Sequence, residues 1–90
     1  MDNYKTIEFG SKALYNVYMY NHNEILKQFG LNVKAERSRK GLSQEQFGEK
    51  AGFNREYISR IERGLQNMSL KKIVELANYL GADIKDILRF

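Results

Sequence analysis

Residues 54–63 read Asn-Arg-Glu-Tyr-Ile-Ser-Arg-Ile-Glu-Arg, so ten positions hold one amide, two carboxylates and three guanidiniums. A guanidinium is a rigid fork of donors that meets paired acceptors bidentately. An amide offers one donor group and one acceptor, and a carboxylate only accepts. At helical spacing Ile58 and Ile61 share one apolar face, which leaves Asn54, Arg55, Glu56 and Arg60 on others. Such a helix buries one side and presents hydrogen-bonding groups on the other, as reading base edges in a major groove requires. Glu56 has a simpler explanation as well. In the first helical turn it gains ~0.3–1 kcal/mol from the helix dipole, and it stands four residues before Arg60, a spacing worth ~0.2–0.5 kcal/mol as an ion pair.

The elements around this stretch are short. From Phe29 onward, apolar clusters alternate with glycines and polar caps and never run in strict alternation, which predicts an all-α region. A first helix is expected over about 31–40, stopped by Gly41. Ser43 then caps a second helix, with Gln46 three residues later completing a capping box before Phe47. That helix ends near Lys50, and Ala51-Gly52-Phe53 forms the turn. Asn54 caps the third helix, 55–63, which Gly64 ends. Ser69 caps a fourth whose Leu70, Ile73, Val74, Ala77 and Leu80 are the expected core face, and Gly81 stops it. Asp83 caps a last helix with Ile84, Ile87 and Leu88 on one side. No space for an effector domain is expected after it.

Composition narrows the chemistry. Ninety residues make one small domain with little core to spare for an enzyme pocket. There is no cysteine, and the single His22 cannot form a metal or catalytic cluster, so no cofactor and no enzymatic activity are expected. No apolar run is long enough for a membrane span, and the start Met1-Asp2-Asn3-Tyr4-Lys5 is no signal peptide, which predicts a cytoplasmic protein. The net charge of +4 is unevenly placed: residues 1–30 balance three bases against three acids, so the whole excess lies in residues 31–90. A compact basic domain points to a polyanion, most often nucleic acid.

Residues 1–28 read differently. Tyr4, Phe9, Tyr15, Tyr18, Tyr20 and the adjoining Phe29 are six of the eleven aromatics, without clean periodicity. Tyr15, Val17 and Met19 alternate as a strand would, while a helix over about 11–27 is the preferred expectation.

Two short helices joined by a glycine turn, the second with basic and polar residues in its first turn, form a helix-turn-helix. Here the chain resembles the Cro/C1-type (XRE-like) family of helix-turn-helix regulators. The matching segments are Phe29 through Phe47, Ala51-Gly52-Phe53, Tyr57 through Gly64, and Ser69-Leu70 through Leu80-Gly81. Gly-Leu-Ser-Gln-Glu at 41–45 and Ile-Ser-Arg-Ile-Glu-Arg-Gly at 58–64 are the most characteristic. The likeness covers residues 29–88. It departs from the family pattern at Gly48, where alanine is usual, and at Met68, where proline is common.

The resemblance implies a five-helix, lambda-repressor-like domain after an N-terminal extension. It implies base contacts from Asn54, Arg55, Glu56 and Arg60, and DNA-backbone contacts from Ser43, Gln44, Ser59, Arg63 and Asn67. Gln44 would also brace the recognition helix, and Arg37 would pair with Glu62. The implied partner is double-stranded DNA, bound by a homodimer, as in restriction–modification controllers and small phage repressors. The last helix, with Ile84, Ile87, Leu88 and Phe90, is the expected dimer surface, with the N-terminal tyrosines as competitor. An antitoxin-like reading, in which residues 1–28 hold a protein partner, is the alternative.

Overall fold

The computed structural model describes residues 4–9, 12–18 and 20–90, with side chains from Tyr20 onward. Strands β1 (Tyr4–Phe9) and β2 (Lys12–Tyr18) pair antiparallel. Tyr4 faces Tyr18 and Ile7 faces Tyr15, after which the register shifts so that Glu8 faces Ala13. Leu14 is therefore an extra residue in β2, a bulge of the kind that increases local twist. The helix expected over 11–27 is corrected. Residues 12–18 are strand, where aromatic and β-branched residues favour the pleated backbone, and helix begins only at His22. Met19 lies outside the described residues.

Five helices follow: α1 (His22–Arg39), α2 (Gln44–Ala51), α3 (Arg55–Glu62), α4 (Leu70–Leu80) and α5 (Ile84–Ile87). This domain is all-α. Its caps are the expected ones: Ser43 and Gln46 close a capping box, Asn54 accepts from the Tyr57 amide, Ser69 from that of Lys72 and Asp83 from that of Lys85. Helix α1 starts nine residues ahead of the expected 31, because Asn21 caps it by accepting from the amides of Asn23 and Glu24.

Gly30 sits inside α1, and its role is contact. A Cβ there would lie against the Ile61 carbonyl oxygen and 2.5 Å from that of Glu62, so α1 and α3 cross backbone to backbone. The ~1 kcal/mol of helix propensity lost at this glycine is the cost of that approach. Gly64, at φ 74°, repeats the contact one turn earlier on α1: a Cβ there would stand 2.7 Å from the Lys27 Cα.

The core is Phe29 and Val33 of α1, Phe47 and Ala51 of α2, Ile58 and Ile61 of α3, Leu76, Ala77 and Leu80 of α4, and Ile87 of α5. The face expected for α4 is corrected in part. Leu70 and Val74 are exposed, Ile73 packs at the edge, and Leu76 takes the fully buried place. Helix α5 is corrected too: Ile87 is buried completely and is not available at a surface, while Phe90 is exposed.

Candidate nucleic-acid interface

Helices α2 and α3 meet through a turn in which Gly52 takes the left-handed conformation, φ 77°, and the Phe53 amide donates to the Gly48 carbonyl at 2.8 Å. Position 48 must be small. A Cβ there would stand 2.5 Å from the Phe53 carbonyl oxygen, tighter than an alanine tolerates without moving the turn.

The far end of α3 is fixed by a buried cluster. Arg37 Nε donates to Glu62 Oε2 at 2.6 Å and Nη2 to Oε1 at 3.0 Å, a bidentate pair. Arg37 Nη1 also donates to the Leu42 carbonyl at 2.7 Å, and Gln44 Nε2 donates to Glu62 Oε1 at 3.1 Å. One carboxylate thus joins α1, the first residue of α2 and the last of α3. The hydrogen bond that Arg37 donates to Glu62 holds its guanidinium charged above even arginine's usual range, against the opposing effect of burial. A cation whose folded pKa is raised contributes its stability at every pH below its ordinary value, so this link persists across the physiological range. The Leu42 carbonyl was not anticipated as a partner. Its signal is the fork itself, whose third nitrogen needs an acceptor when buried.

Asn54, Arg55, Glu56 and Arg60 are all exposed on α3 or at its cap. Asn54 commits its side-chain oxygen to the Tyr57 amide at 2.8 Å, which leaves its amide nitrogen to donate outward. Arg60 bends toward the loop after α3, donating to the Leu65 carbonyl at 3.1 Å and more weakly to Gln66. Glu56 does not pair with Arg60. Its Oε1 lies 3.0 Å from Arg63 Nη2, two turns along the same face, because Arg60 is engaged by the loop. Arg63 Nε also donates to Ser59 Oγ at 3.1 Å. Ser43 and Asn67 are exposed at the start of α2 and in the loop before α4, and Ser59 and Gln44 are half-buried. Beside the cap of α3, Phe53 and Tyr57 pack with ring centroids 4.8 Å apart, and Lys72 Nζ lies 5.6 Å from the Phe53 ring.

Residues 33–87 match the helix-turn-helix family HTH_3. The chain belongs to that family. Its members are DNA-binding regulators of transcription, and the α2–turn–α3 unit is the part of this chain that gives the family its description. The control protein C.BamHI of Bacillus amyloliquefaciens is 41% identical over 69 residues, covering 76% of this chain and 85% of that protein. The restriction–modification controller protein C.AhdI of Aeromonas hydrophila has a similar structure, with TM-score 0.70 and 35% identity over 76% of this chain and 99% of that one. The controller protein C.Esp1396I, solved as a tetramer in complex with its natural 35 base-pair operator, matches with TM-score 0.61 and 30% identity over 72% of this chain and 96% of that one. Among the described residues, no helix is long and apolar enough to cross a membrane.

Proposed function

We propose that the chain binds operator DNA as a two-fold dimer in the cytoplasm and controls transcription by occupancy, without catalysis. The observation that carries this reading is the recognition helix itself: its exposed face presents Arg55, Glu56 and Arg60, while its other end is clamped by Glu62 to two helices. A helix held at that end enters a groove in one orientation, which is what base discrimination needs. Arg55 is exposed and, among the described residues, carries no hydrogen bond or ion pair. It is the side chain placed to meet guanine, since a bidentate arginine is the commonest specific contact. Asn54, donating through its amide nitrogen, Glu56 and Arg60 are the other base contacts. Ser43, Gln44, Ser59, Arg63 and Asn67 contact the phosphodiester backbone.

One recognition helix reads few base pairs, so two half-sites with centres ~34–36 Å apart supply the missing discrimination. We place the two-fold contact at the C-terminal end, where Phe90 is exposed beside the half-buried Leu88 and Ile84. Phe90→Ser should shift the protein from dimer to monomer in analytical ultracentrifugation; an unchanged dimer moves the contact elsewhere.

The test of the site begins by selecting bound sequences from a random duplex pool. Arg55→Ala should relax preference at one base pair per half-site and cost ~1–3 kcal/mol, whereas Asn67→Ala should weaken the operator and its single-base variants by one common factor. Two indistinguishable profiles overturn the assignment of roles.

A further inference from the structure

The ion pair across the exposed face of α3 joins two residues that the DNA-binding reading assigns to different parts of the duplex, and the inference rests on that reading. We propose that Glu56 is a specificity-determining residue that acts as an internal substitute for phosphate, holding Arg63 in reserve until a correct base releases it. Two of the three Arg63 guanidinium nitrogens are engaged in the free protein, and its charge is paired: Nη2 meets Glu56 Oε1 at 3.0 Å, and Nε meets Ser59 Oγ at 3.1 Å and the Ser59 carbonyl at 3.4 Å. Glu56 has no other partner among the described residues, so freeing Arg63 strands a carboxylate on the groove-facing side of the helix.

On a mismatched duplex that carboxylate faces acceptors and backbone charge, and the pair stays closed. Where a cytosine amino group lies opposite, Glu56 accepts from it and Arg63 swings to a phosphate, so two contacts form together. The pair thereby subtracts one phosphate contact from nonspecific binding and none from operator binding. An exposed ion pair is weak, so the difference it imposes is on the order of two- to fivefold in the ratio of the two affinities.

The experiment measures log affinity against log salt for the full chain, using a duplex selected from a random pool and a scrambled duplex of the same length. Each phosphate neutralised contributes about −0.9 to the slope. Glu56→Gln should steepen the slope on the scrambled duplex by about that amount, leave the operator slope unchanged and narrow the affinity ratio two- to fivefold. Arg63→Gln should make the operator slope shallower by the same step and leave the scrambled slope unchanged. The double variant should match Arg63→Gln in both salt slopes. Parallel changes on both duplexes, or an Arg63→Gln effect on the scrambled one, overturn the reserve pair while leaving DNA binding intact. Failure of the unaltered chain to bind any duplex overturns the underlying reading instead. Circular dichroism melts of each variant, expected to superimpose on the unaltered protein, separate these outcomes from misfolding.

Discussion

Arg37–Glu62 and Arg63–Glu56 are both arginine–carboxylate pairs whose acid lies on α3, and two of their members are neighbours in sequence. The first pair has side chains 12% and 3% exposed, the second 53% and 71%. Burial makes the same chemistry into different devices. Inside, each charge depends on the other because water cannot replace it, and losing one partner costs far more than the pair contributes. Outside, water and salt compete throughout, so the pair is worth at most about 1 kcal/mol and can open without disturbing the core. The inner pair locates the helix, and the outer one leaves its face adjustable.

The sharpest way to break this contrast is Arg37→Met. Alone it leaves Glu62 buried with only Gln44 as donor and should cost ~3–5 kcal/mol in urea unfolding, while Arg37→Met with Glu62→Met should return close to the unaltered protein. Equal losses in the single and double variants would mean the charges are not what joins α1 to α3. Gly30→Ala probes the same seam without touching charge. Its Cβ meets two backbone carbonyls that cannot rotate away, so a loss of ~1–3 kcal/mol is expected despite the better helix propensity of alanine. A gain in melting temperature would show that α1 can shift freely over α3. Ser43→Ala, which removes the cap of α2, should cost ~0.5–2 kcal/mol by the same measurement, and a neutral result would assign the capping box no part in holding α2. At the outer pair, Arg63→Gln should change stability by less than ~1 kcal/mol, with the difference vanishing in high salt. A larger, salt-independent loss would place it with the buried pair.

Local chemistry made much of the domain readable. Caps and left-handed glycines act within four residues, so Ser43, Asn54, Ser69 and Asp83 mark helix starts from their local sequence, and Gly41, Gly52 and Gly64 the ends. Gly30 and Gly41 look alike in the sequence, since each could end a helix. Only the presence of α3 across from Gly30 makes that glycine a crossing point, and this is information carried by residues thirty positions away. Helix α4 shows the same limit: Leu70 with Val74, and Leu76 with Leu80, are two apolar stripes of equal period, and the neighbours decide which is buried. The polar residues of α3 were legible as types at a spacing. Their pairing was not, since Glu56 reaches either Arg60 or Arg63 and the loop carbonyl of Leu65 settles the choice. Residues 1–28 mixed strand alternation with helical spacing, and the bulge at Leu14 breaks the alternation that would have marked β2.

Asn32, in the middle of α1, donates through Nδ2 to the Ile87 carbonyl at 3.1 Å and to the Arg89 carbonyl at 2.8 Å, with Gln28 holding its oxygen. This ties an early helix to a segment more than fifty residues later. During synthesis, α1 is made well before either carbonyl exists, and before Ile87 can fill its place in the core. The clamp at Glu62 needs none of these later residues, so the helix-turn-helix can hold it while one side of α1 stays wet. Consolidation of α1 waits for residues 87–89 to emerge, at translation rates of ~5–20 residues per second. A domain built this way acquires its mature packing only once residues 87–89 are free of the ribosome, so chains stalled before that point should display a loosely ordered, protease-sensitive intermediate.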